Sequence, residues 1–170
     1  MISRPQETEY AAYYDKYVSK VPQGDLMENL TAQLAAAEIL FGCITEEKSK
    51  YRYAEGKWSI REVLGHILDT ERIFAYRALR ISRNDKTALP GFEQDDFVPY
   101  SNHENILLKD ILEEFLLVRK ANIKMFESFN DEMWTRIGTA SGNPVSVRAI
   151  AYILAGHFIH HAAVIEEKYL

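Results

Sequence analysis

Cysteine is almost missing from this chain. A single Cys43 among 170 residues excludes an intramolecular disulfide framework and suits a reducing compartment. Basic charge is also short: 20 Lys and Arg stand against 25 Asp and Glu, a net charge of −5 at pH 7. A nucleic-acid binder needs a basic face to meet the phosphate backbone, so that class is not expected. No run approaches the roughly 18 consecutive apolar residues of a membrane span. The first residues, MISRPQETEYAAYY, lack the apolar core of a signal peptide. Together these absences predict a cytoplasmic protein with neither nucleic acid nor membrane as its partner. Glycine and proline are sparse, at 8 and 5, and fall mostly between periodic segments. No internal repeat, low-complexity tract or strong linker divides the chain, so residues 1–170 read as a single domain.

What the sequence does contain is helical periodicity. Tyr10, Tyr13, Tyr14 and Tyr17 recur at three- and four-residue steps within Thr8 to Lys20, which predicts a tyrosine stripe on one helical face. VPQGD then breaks the chain, and Asp25 is an N-cap for a helix to about Ile44 with Leu26, Leu30, Leu34, Ala37 and Phe41 inward. Ser59-Ile60-Arg61-Glu62 fits a capping box and opens a helix to about Arg83, with Val63, Ile67, Phe74 and Leu79 as apolar contacts. Ser101 to Glu104 offers a second capping box, before a helix ending near Asn130 that carries Leu108, Ile111, Leu112, Phe115, Val118, Met125 and Phe129. The last helix starts at Val145 to Val147 and runs to the C-terminus.

Four amphipathic helices of about 20 to 28 residues would each span roughly 30 to 40 Å. Matched lengths make an all-α four-helix bundle with long inter-helix loops the economical packing. Lys86 to Tyr100 and Asp131 to Ser146 are the long connections, and loops of that size in a compact domain are often functional.

Three of the five histidines fall inside GHFIHH, Gly156 to His161. His157 and His161 are four apart, one turn on the same helix face, the spacing at which two imidazoles share one ion. Ile150, Ile153, Leu154 and Val164 lie on or beside that stripe, so the pair points into the bundle, with His160 flanking it. An isolated pair of this kind occurs by chance on many helices, which leaves metal binding and helix decoration both open. His66 on the second long helix has Val63, Thr70 and Ile73 as its helical neighbours, again an inward stripe. Three imidazoles would leave an open position on a zinc or nickel ion, the arrangement of a catalytic site. His103 lies in a polar stretch and reads as surface. Phe158 follows His157 where an HExxH metalloprotease needs glutamate, so peptidase chemistry of that type is not expected.

GKWSIREVLGHILDTERIFAYRALR, LPGFEQDDFV and SGNPVSVRAIAYILAGHFIHH, in that order, resemble the DinB-like (YfiT-like) superfamily of metal-dependent enzymes over nearly the whole chain. The resemblance implies a four-helix bundle, often with up-down-down-up connections and often a homodimer. It implies a divalent metal, zinc or nickel, held by one histidine of the second helix and two of the last: His66, His157 and His161. It also implies thiol chemistry on a small-molecule substrate, since characterised relatives include bacillithiol- and mycothiol-dependent S-transferases and a mycothiol-dependent isomerase. An open metal position can hold a low-molecular-weight thiol cosubstrate as thiolate, its nucleophilic form. Phe158 departs from the glutamate often found there in close relatives, which removes acid/base help from that position.

Secondary candidates follow from placement. Asp69 and Glu71 near His66 read as a solvated edge, with orientation of an imidazole as the sharper alternative. Arg77 and Arg80 either hold an anionic cofactor or lie on the surface. Glu93, Asp95 and Asp96 form a solvated run on a loop that could lid the site. Trp58 and Trp134 read as packing anchors and Cys43 as a weak nucleophile. No catalytic residue is assigned. Two functions stay open: a metal-dependent thiol S-transferase or hydrolase-like enzyme, and a non-enzymatic bundle that binds metal, or a partner through its tyrosines, in a stress response.

Overall fold

The computed structural model describes residues 2–170. Four long helices dominate it: α1 (Leu26–Gly42), α2 (Ile60–Ser82), α3 (Leu108–Glu127) and α4 (Val147–Lys168). Three start as their sequences require. The Asp25 carboxylate accepts from the backbone N–H groups of Met27 and Glu28, at 2.8 and 3.2 Å. Ser59 and Glu62 form the expected capping box, and Ser146 caps α4 by accepting from Ala149 N–H at 3.0 Å.

The third helix does not begin where its capping box predicts. Asn102 sits in the left-handed region at φ 61°, a 3₁₀ turn covers His103–Asn105, and α3 starts only at Leu108. Its first N–H groups are met from a distance: the Glu46 carboxylate accepts from Leu108 and Lys109, at 3.1 and 3.3 Å. Glu46 also pairs with Arg61 at 2.5 Å, which ties the α1–α2 connection to the start of α3.

The helices pack as a ring in the order α1, α3, α2, α4, so α1 and α2 lie across one diagonal and α3 and α4 across the other. Two apolar clusters fill the ring. One gathers Leu26, Leu30, Phe74, Ile123, Phe126 and Ile150, and the other Phe41, Leu64, Ile111, Phe115, Phe158 and Ile165. The gap between them falls near residue 33 on α1, 71 on α2, 119 on α3 and 157 on α4, and all four positions are buried and polar. A polar layer thus crosses the middle of the bundle. By length and composition α4 is apolar enough to span a membrane, and most of that stretch is buried among the other helices.

Several sequence-based expectations are corrected. Residues 8–20 are not one helix: 3₁₀ turns at Glu7–Glu9 and Ala12–Tyr14 precede a one-turn helix, Asp15–Val18. Extended backbone at Tyr10 and Ala11 breaks the periodicity, so Tyr10 and Tyr17 are buried while Tyr13 is exposed. Leu79 is also exposed. The stretch 131–146 is structured, with a short helix at Asp131–Thr135 and an antiparallel hairpin, β1 (Ile137–Ala140) and β2 (Asn143–Ser146). Its two-residue turn needs positive φ at both positions, which Ser141 (52°) and Gly142 (75°) supply. Leu89 bridges to this hairpin: its N–H donates to Thr139 at 2.9 Å and its carbonyl accepts from Ser141 at 3.0 Å. The long loop after α2 is therefore pinned at its start before it passes over the bundle.

Candidate metal centre

The three imidazoles predicted to meet do so. His66 Nε2 lies 3.0 Å from His157 Nε2, and His161 Nε2 lies 3.1 Å from the same atom. All three nitrogens fall within 4.8 Å of one another. Two imidazoles on one tetrahedral zinc at about 2.0–2.1 Å would place their nitrogens roughly 3.3 Å apart. The two pairs that His157 makes are within a few tenths of an ångström of that spacing, on side chains from two different helices. The donor set fits a divalent ion.

Electrostatics agree with geometry. Burial lowers His66 to about 4 and His161 to about 3, the latter helped by neighbouring His66, His160 and Lys16. His157, buried more deeply, is also pushed well down by burial and then by the surrounding imidazoles. At neutral pH all three are uncharged, the form that offers a lone pair to a metal.

Two features hold the rings in place. The Trp58 ring packs 5.0 Å from that of His66, and Tyr17 sets its edge 5.1 Å from His157 and 5.4 Å from His160. Both tryptophans pack as expected: Trp58 against His66 and the second apolar cluster, and Trp134 against Phe126 and Phe129. Asp15–Val18 reaches the triad because Gly156 lets the backbone of Tyr17 approach α4.

The triad opens on two sides. A cavity of about 440 Å³ is lined by His66, His157, Thr70, the tyrosines 13, 14 and 17, and the loop 91–95. A second, of about 300 Å³, is lined by His160, His161, Trp58 and Val63. Asp95 lines both, so the acidic loop borders the site, with Glu93 and Asp95 exposed on it.

This architecture is shared. A family model described as the DinB superfamily matches residues 29–165. The chain belongs to the DinB superfamily. Its fold is similar to that of YfiT from Bacillus subtilis, described as "a probable metal-dependent hydrolase with an unusual four-helix bundle topology". The TM-score is 0.72 at 16% identity, over 97% of this chain and 90% of that one. No curated protein matches the sequence.

Within this DinB fold the other candidates separate. Glu71 is no solvated edge: it is buried, accepting from Arg119 at 2.6 Å and from Asn122 at 2.8 Å, and does not touch the triad. Asp69 is half-buried; burial pushes its carboxyl up, against nearby His103 and Arg72. His103 is buried rather than on the surface, because Gly65 leaves room for its ring against α2. Arg77 is spent on structure, donating to the Pro90 carbonyl at 2.7 Å and to Ser141 Oγ at 3.2 Å. Arg80 bonds Asp85 and Tyr76. Cys43 is exposed at the end of α1. Sequence reasoning gave Thr70 only as a neighbour of His66, although it lines the cavity; the four-residue step was the available signal.

Proposed function

We propose that this protein is a divalent-metal-dependent enzyme that transfers a low-molecular-weight thiol of the bacillithiol type to a small electrophile, or hydrolyses a related one. The convergence of three neutral histidine nitrogens carries this reading, with His66 and His157 on the wall of a cavity sized for a small molecule and His161 on the adjoining one. When bound, a zinc or nickel ion supplies a Lewis acid with an open position, which acidifies a thiol or a water molecule brought to it.

The chain's own residues do the rest. His66, His157 and His161 would hold the ion. Tyr17 and Trp58 keep the imidazole rings from turning. The aromatic wall of Tyr14, Phe74 and Phe92 displaces water from the apolar body of a substrate. Asp95, bordering both openings, is placed to take or return a proton at a reactant's thiol or hydroxyl. The lone Cys43 supports a reducing, cytoplasmic setting in which such thiols stay reduced.

Elemental analysis of untagged protein tests the reading. About one equivalent of zinc or nickel in the wild type, lost in His157→Ala, is the expected result. The cobalt-substituted protein should then change its visible spectrum on addition of a small thiol. Metal without any response to thiol or electrophile would leave a non-enzymatic metal-binding bundle, and no metal even after loading would sink both.

A further inference from the structure

The two cavities beside the triad differ in charge. The larger, on the His66 and His157 side, is bordered by Glu93 and Asp95, and among the described residues no lysine or arginine lines it. Arg77 acts on its Tyr14 from behind the wall, but that guanidinium is already committed to the Pro90 carbonyl and Ser141. The smaller cavity, on the His161 side, is lined by Lys57 from the segment before α2, together with His160, Trp58 and Tyr53. Asp95 is the carboxylate that faces Lys57 there.

Two further lysines stand on the same side. Lys16 lays its ammonium over the rings of Tyr13 and Tyr17, 3.7 and 4.9 Å from their centroids, and the Tyr17 ring packs against His160. Burial lowers the pKa of His160, and the charges of Lys20 and then Lys16 lower it further. Among the described residues the lysines in ion pairs are Lys124 and Lys168, with Glu127 and Glu167. Lys16, Lys20 and Lys57 are exposed and form none. Exposed lysines are common, but these surround an opening that ends on His161. Three neutral imidazoles cancel none of the charge of a divalent ion. Glu93 and Asp95 offset that charge in the larger cavity, whereas the lysines add to it in the smaller one, which therefore favours an anion.

We propose that the smaller cavity is the subsite of the thiol cosubstrate, that this thiol carries a carboxylate, and that Lys57 binds the carboxylate while the sulfur reaches the triad beside His161. The aromatic wall of the larger cavity is then left to the electrophile. The inference rests on the thiol-transfer reading above and assigns the two reactants to opposite sides of one site. A lysine acts here as a point charge on a flexible stem, so its contribution is modest and depends on the sign of its charge.

The test uses the full chain loaded with cobalt, whose visible spectrum reports a sulfur ligand, titrated with mercaptosuccinate and with β-mercaptoethanol in about 0.15 M salt. Lys57→Met should weaken mercaptosuccinate about 2- to 5-fold and Lys57→Glu about 5- to 20-fold, while β-mercaptoethanol changes by less than about 2-fold in both. Glu93→Lys places a cation on the larger cavity alone and should leave mercaptosuccinate within about 2-fold of the wild type. Cobalt content should be the same in every variant. Equal mercaptosuccinate affinity in wild type and Lys57→Glu would overturn the proposal. Tighter binding in Glu93→Lys with no loss in Lys57→Met would also overturn it, by putting the thiol in the larger cavity. A loss shared equally by both thiols would mean that Lys57 serves the metal site rather than a carboxylate, and the proposal falls again. A spectrum that neither thiol alters would instead sink the thiol-transfer reading, and the proposal with it.

Discussion

The backbone carbonyl of Tyr17 lies against the α-carbon of Gly156, so close that a β-carbon there would stand 1.9 Å from the oxygen. Nothing flexible can move aside, since the facing atoms are backbone. Gly156→Ala gains about 1 kcal/mol of helix propensity. Overpacking of this kind costs about 1–3 kcal/mol and more where backbone must shift. The variant should therefore be destabilised by about 1–2 kcal/mol net. It should also lose zinc affinity, because displacing Asp15–Val18 takes the Tyr17 ring from His157. Urea unfolding and zinc titration check both. An alanine variant as stable as the wild type would mean that this contact is looser than the structure has it.

Arg119 and Glu71 form the centre of the polar layer, each 1% exposed and 2.6 Å apart. Arg119 also bonds Gln33, whose amide donates to the Ala155 carbonyl at 2.9 Å, so one network touches all four long helices. Phe115 and Phe158 flank the guanidinium, with centroids 5.3 and 5.7 Å away. Removing one partner leaves a buried charge alone, which costs about 3–5 kcal/mol. Glu71→Leu and Arg119→Met should each fall in that range by chemical denaturation. The double variant should recover much of the loss, since apolar replacement of a buried pair is often nearly neutral. Additive losses in the double-mutant cycle would show that the two side chains act separately.

The contrast between these residues and the triad shows what the sequence made legible. Local signals were read correctly: the Asp25 cap, the Ser59–Glu62 box, and the four-residue step of His157 and His161. The triad emerged because each histidine lay on an apolar helical stripe and the family resemblance implied the same three. Features that depend on residues far apart in the chain stayed hidden. Glu71 is turned from an apparent surface acid into a core residue by Arg119, 48 positions away. Glu46 caps α3 from 62 positions away, which no window around Ser101 could show. His103 was misplaced because the room it occupies is made by the missing side chain of Gly65.

Glu9 should make the fold acid-sensitive. Burial alone would raise its carboxyl, but hydrogen bonds from Arg148, Ser146 and the Gln6 backbone prevail and hold it near about 2, against an ordinary 4.5. Ser146 donates at 2.7 Å and caps α4, so this acid joins the N-terminal segment to the helix that carries His157 and His161. A pKa depressed in the folded state means that the unfolded chain takes up the proton first. The contribution is complete above about pH 4.5 and is lost as pH falls toward about 2. The stability gap between wild type and Glu9→Gln should shrink across that window in urea titrations. A gap constant with pH would show that the Glu9 charge is not what the neighbours recognise.

Metal should stabilise the fold in proportion to its binding. A ligand that binds only the folded state contributes about 2.7 kcal/mol at 100 times its dissociation constant. For a chain of this size that corresponds to a melting temperature raised by roughly 5–10 °C. His161 is the half-buried member of the triad, so His161→Ala should fold nearly as well as the wild type while losing one of three donors. Zinc should then raise its melting temperature by less than about 2 °C, and a chelator should bring the two proteins together. An equal rise in both would place the ion elsewhere, because a site that includes His161 Nε2 cannot be indifferent to its removal.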